Sequence, residues 1–153
     1  MGSQKRGITI VESLIGLSIL AFIIVFILLS VTLFQSSANL ALSNTKATYL
    51  AEEGEEFARF IRDNNWATMS GLTSGTTYYF APTASSIGVT TTPEVIGGTY
   101  TRSFTVQDTQ RNGSGDFVES GGTANTGGKV VTVSVTWGAE SVQFKSILAN
   151  INN

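Results

Sequence analysis

Nine basic and eleven acidic side chains carry all the strong acid–base chemistry available, because the sequence contains no His and no Cys. Without His there is no ordinary general base near neutral pH, and the commonest zinc ligand is missing. Without Cys there is no disulfide staple and no thiolate nucleophile. No nucleophile–base constellation stands out, which leaves lysine or carboxylate chemistry formally open and points away from an enzyme. Three groups of carboxylates remain. The run Glu52-Glu53-Gly54-Glu55-Glu56 invites a metal, but neighbours on a helix point in different directions and only residues three or four apart meet. Glu55 and Glu56 lie four and three positions before Arg59, so the run reads as a solvated, partly ion-paired face. Asp108, Asp116 and Glu119 fall in a polar stretch and are candidate calcium ligands, although their spacing fits no EF-hand-type loop.

Glu12 is the third case. It stands at the start of the most apolar part of the chain, and positions 13 through 45 hold no charged residue. An ionisable group inside a bilayer costs about 2.5–3.5 kcal/mol at the centre and less near the interface. Glu12 either snorkels to the headgroups, with the helix beginning just after it, or it has a partner.

The elements that hold these groups follow from composition. With 153 residues there is room for one domain core. Charged residues are only 13%, well below the usual share of a soluble domain. The net charge is −2, without a basic stripe, so no nucleic-acid partner is expected. Residues 14–34, LIGLSILAFIIVFILLSVTLF, are almost entirely apolar. About 20 such residues cross a hydrocarbon core of roughly 30 Å. The Ser and Thr among them can return their hydroxyls to the helix backbone. A secretory signal core is shorter, about 7–15 residues, so the stretch reads as an anchor in the lipid bilayer. Lys5 and Arg6 precede it and the next charge after Glu12 is Lys46, which puts the N-terminus in the cytoplasm.

The helical pattern continues. Leu40, Ala47, Leu50, Ala51, Gly54, Phe57, Ala58 and Ile61 fall on one stripe of a 3.6-residue period. Asn44, Lys46, Glu52, Glu55, Arg59 and Arg62 occupy the opposite face. No proline occurs before Pro82, so a single helix is predicted from about Ile10 to Asn64, about 80 Å long. Gly16 and Gly54 are its weak points, each costing about 1 kcal/mol relative to Ala. Trp66 is expected to close the helix end by packing.

From Gly71 onward the chain turns to Thr, Ser, Gly and β-branched residues. Strands are predicted at 76–80, 99–107 and 129–137, with 142–148 returning from a turn at Gly138-Ala139. Tyr100, Phe104 and Val106 share a face, and Arg102 interrupts it, which suggests a place near a sheet edge. Three or four antiparallel strands would pack on the helix stripe, and 108–128 would form a long exposed polar loop. The N-x-S triplet at Asn112 carries no weight here.

Lys5-Arg6-Gly7 followed by Ile8-Thr9-Ile10-Val11-Glu12-Ser13-Leu14 resembles the N-terminal signal of type IV prepilins and pseudopilins. The resemblance implies a cut by prepilin peptidase between Gly7 and Ile8 and N-methylation of Ile8. Phe is the family's usual first mature residue, but Ile also occurs there. It further implies that the new amine of Ile8 pairs with Glu12 on the same or an adjacent subunit. The segment from Leu50-Ala51-Glu52-Glu53-Gly54 to Arg62-Asp63-Asn64-Asn65-Trp66 also resembles pilin-like proteins associated with pilus modification. Many relatives carry a proline in the membrane half of the helix; this sequence has none there. Some relatives hold calcium in a loop comparable to 108–128.

The expected organisation is therefore a leader at 1–7, a membrane or filament-core helix at 8–36, its amphipathic half at 37–66, and a β-rich head at 67–153. The expected fold class is α+β, the type IV pilin fold. The implied role is a major or minor pilin, held in the cytoplasmic (inner) membrane as a precursor and then extracted to an extracellular or periplasmic filament. Its partners would be other pilin subunits, the prepilin peptidase, the pilus assembly platform and lipid. Two alternatives stay open: a type II secretion or competence pseudopilin, and a membrane-anchored binding module that never polymerises.

Overall fold

The computed structural model describes residues 9–118 and 120–151. The leader, including Lys5, Arg6 and Gly7, lies outside the described residues, as do Ile8 and Glu119. The chain separates into two units, Met1–Ser43 and Asn44–Asn153. Helix α1, Ile10–Asn64, runs without a break through the boundary and has the limits its periodicity predicts.

In the first unit α1 is uniformly apolar. Its hydroxyl residues return their protons to the backbone, as expected for polar groups with no solvent to serve them. Ser18 Oγ donates to the Leu14 carbonyl and Ser30 Oγ to that of Phe26, both at 2.8 Å. Thr32 Oγ1 donates to Leu29 O, also at 2.8 Å.

In the second unit the last five turns of α1 lie on a β-sheet. Ala47, Ala51, Gly54, Ala58 and Ile61 are buried, which follows the predicted stripe over this stretch. Leu40 belongs to the first unit and is exposed. The stripe is made of small residues so that the helix backbone can approach the sheet closely. A Cβ on Gly54 would stand 2.8 Å from Val133 Cγ1 and 3.1 Å from Arg102 Cδ. Gly54 is thus a contact point, where the sequence had suggested only a weak one.

The helix stops at Asn65, whose extended backbone (φ −159°, ψ 97°) no longer fits a helix. The Asn65 side chain caps a one-turn helix, α2 (Trp66–Ser70), by accepting from Ala67 N at 3.0 Å. Trp66 opens α2 and packs in part against the core. Its packing role is as expected, but Asn65 ends α1.

Seven strands follow: β1 (Thr77–Pro82), β2 (Ile87–Thr90), β3 (Glu94–Ile96), β4 (Tyr100–Arg111), β5 (Phe117–Val118), β6 (Thr123–Trp137) and β7 (Glu140–Ala149). They form one antiparallel sheet in the order β2-β1-β4-β6-β7, with β3 and β5 also pairing with β4. The fold is α+β, a long N-terminal helix whose second half packs on an antiparallel sheet. Phe104, Val133 and Phe144 stand in register across β4, β6 and β7. Phe80 stacks on Phe104 with centroids 4.5 Å apart, and Phe57 of α1 meets Phe80 edge-on at 5.5 Å.

Three strand-level expectations change. The sheet has more strands than the three or four predicted, because β2, β3 and β5 are too short to show a clear alternation. The stretch 108–128 is largely paired: Gln110 and Arg111 face both β5 and β6. Its polar, glycine-rich composition hides strands that are solvated and bulged. Arg102 is not near an edge, since it sits between Glu94 of β3 and Val135 of β6.

Candidate functional site

Two sets of residues can do something beyond holding the fold: the surface of α1 in the first unit, and the polar groups of the head.

Glu12 lies in the first turn of α1 and is exposed. A carboxylate there is favoured by the unsatisfied N–H groups of a helix start. Around and beyond it, every large apolar residue from Ile10 to Phe34 is exposed, from 47% at Val31 to 83% at Ile10. Contiguous apolar surface on this scale marks a lipid or protein contact. The helix is long and apolar enough to cross a membrane, as an anchor or as a signal sequence.

In the head, Arg102 is the best-built polar centre, and sequence reasoning misplaced it. Its side chain lies on the inner face of β4 in line with Tyr100, Phe104 and Val106, and is 2% exposed. Nε and Nη2 donate to the two oxygens of Glu94 at 2.9 and 2.8 Å, a forked pair. Nη1 donates to Glu53 Oε2 at 2.7 Å and to the Leu50 carbonyl at 3.3 Å. The guanidinium also lies over the rings of Phe57 and Phe80, at 4.6 and 5.6 Å. Burial acts to lower the Arg102 pKa, but hydrogen bonds and charge from Glu94, and then Glu53, outweigh it, and the net shift is upward. Arg102 thus stays charged throughout the ordinary pH range and ties α1 to β3 and β4. The signal that could have found it is its parity: it shares the inward face of β4, and Glu53 and Glu94 are available to neutralise it.

The acidic run on α1 divides among partners. Glu55 pairs with Arg59 at 2.7 Å and Glu56 approaches the same arginine at 3.6 Å, as their spacing predicts. The hydrogen bond and charge of Glu55 lead the causes that raise the Arg59 pKa. Glu53 is taken by Arg102, a long-range contact that helical spacing does not reveal.

The calcium candidates are not brought together. Asp108 pairs with Lys129 at 2.6 Å, directly across β4 and β6. Asp116 instead closes a turn with Asn112, whose Oδ1 accepts from Asp116 N at 2.9 Å and whose Nδ2 donates to Asp116 Oδ2 at 3.3 Å. Among the described residues, no group of three or more Asp or Glu is placed to hold a metal ion.

No family model, curated protein or solved structure matches this chain.

Proposed function

We propose that the protein is a structural subunit of a type IV pilus-like filament, matured from a membrane-held precursor and playing no catalytic role. The observation that carries this reading is the single unbroken α1. Its apolar half is exposed all round and opens with one carboxylate, while its other half is the backbone of a β-rich head. A plain anchor needs neither the carboxylate nor a helix continuous with the head.

In this reading the peptidase cuts between Gly7 and Ile8 and methylates Ile8. The new ammonium and the Glu12 carboxylate would each suffer a large desolvation penalty alone in lipid, and pairing relieves both. Between subunits the pair can form only at one axial offset. Glu12 thereby sets register, the best-attested use of a buried ionic pair. Head-to-tail contacts of this kind do not close on themselves and give a fibre. The apolar helices bundle inside and the heads face outward. Pilin and pseudopilin readings share this chemistry.

The test is mass spectrometry of the mature N-terminus, on protein taken from its host. A chain beginning at N-methylated Ile8 is the expected result. A chain retaining Met1, or one cut near residue 35, would overturn the proposal.

A further inference from the structure

The head also contains a cleft that filament assembly does not use. Its volume is about 410 Å³, within the range of ligand sites. Trp66, Arg111, Phe117, Asn125, Thr126 and Asn150 line it. The lining therefore combines aromatic rings, amides, a hydroxyl and one cation, without a carboxylate.

The cleft forms where the β4–β6 ladder breaks register. Asp108 faces Lys129, but the next residue, Thr109, faces Asn125, so residues 126–128 bulge out of β6. The buried Thr109 hydroxyl fastens the bulge by donating to Gly128 O at 3.0 Å. Gly128 has to be glycine, since a Cβ there would stand 2.8 Å from the Phe117 ring. On that ring lies the Arg111 guanidinium, 3.9 Å from its centroid, and Arg111 Nη1 donates to the Gly115 carbonyl. The cation is therefore positioned before any ligand arrives, which lowers the ordering cost of binding.

Arg111 differs from its counterparts. Arg59, Arg62 and Arg102 each hold a carboxylate. Among the described residues, Arg111 forms no ion pair; a ring and a backbone oxygen hold it instead. Its remaining N–H groups suit a planar anion such as a carboxylate. Asn125 Oδ1 accepts from Gly127 N at 2.8 Å, and its NH2 group makes no hydrogen bond among the described residues.

We propose that this cleft binds a saccharide bearing a carboxylate, a uronic or sialic acid unit. Trp66 offers an apolar face to the C–H side of the sugar ring. Arg111 takes the carboxylate, while Asn125 and Thr126 exchange hydrogen bonds with hydroxyls. A nucleic acid is a poorer match, because its phosphates call for several cations and the lining has one. The proposal is independent of whether the chain polymerises.

The test uses the full chain in detergent micelles, titrated by calorimetry with trigalacturonate, triguluronate and sialyllactose. The galacturonate methyl ester and a short oligothymidylate serve as comparisons. At least one acidic sugar should bind saturably, and its ester or neutral counterpart about tenfold or more weakly. Arg111→Gln should weaken binding by a similar factor while leaving the melting temperature unchanged, since the side chain lies on the surface. Trp66→Phe should weaken it less. Absence of saturable binding by all three acids, equal binding by Arg111→Gln, or preference for the oligothymidylate overturns the proposal.

Discussion

The two halves of α1 have the same backbone and opposite surroundings. From Ile10 to Phe34 the large side chains are exposed on all sides. From Asn44 to Asn64 one stripe is buried on the sheet and the rest is polar. In the first half each backbone group is satisfied within the helix and even the hydroxyls bond inward, the condition for standing in lipid. In the second half the helix is held by tertiary packing, as amphipathic helices in water are. One element can thus be a self-sufficient rod at one end and a packed layer at the other. Which residues matter differs accordingly.

The largest expected effect lies in the apolar half. Glu12→Ala should abolish filaments, scored as sheared surface material on an immunoblot, while the head keeps its near-ultraviolet circular dichroism. Normal filament yield would leave the two halves without the division of labour drawn above. Next comes Arg102→Met in the head. It strands Glu53 and Glu94 beside an apolar core and should cost about 3 kcal/mol in urea unfolding of the full chain in detergent. A loss under about 1 kcal/mol would mean that both carboxylates reach solvent freely.

The sharpest contrast between the halves comes from one substitution made twice. Gly16→Ala meets no atom within 4 Å and should stabilise the helix by up to about 1 kcal/mol. Gly54→Ala has the same propensity advantage but drives a methyl into Val133, so a net loss of about 1–3 kcal/mol is expected. Thermal melts of the two variants should move in opposite directions; movement in the same direction removes the packing argument. The smallest effect belongs to Glu55→Ala. It breaks only the exposed pair with Arg59 and should change stability by about 0.5 kcal/mol or less in the same unfolding assay.

Much of this was legible in the order of residues. Hydropathy and a 3.6-residue stripe located α1, and strict alternation located β1, β4, β6 and β7, because those patterns report one buried face per element. Short strands such as β3 and β5 carry too few residues for a period to show. The bulge at 126–128 looked like loop because glycine and asparagine serve bulges and turns alike. In the candidate sites, Glu12 was conspicuous as one charge in an apolar field. Arg102 was visible but misread, since its partners lie 49 and 8 positions away.

By itself, then, the sequence determined what depends on near neighbours: the apolar span, the helix limits, the exposed Glu55–Arg59 pair and the place of Glu12. Tertiary structure alone decided that Arg102 is a buried tie and not an edge charge. It also decided that Gly54 is a contact point and that Asp108 and Asp116 stand apart, and it assembled Arg111 and Trp66 on one cleft. The physical reason is range. Helical and strand periods are set within a few residues, whereas burial and charge pairing depend on which distant strand arrives opposite, and only the folded chain settles that.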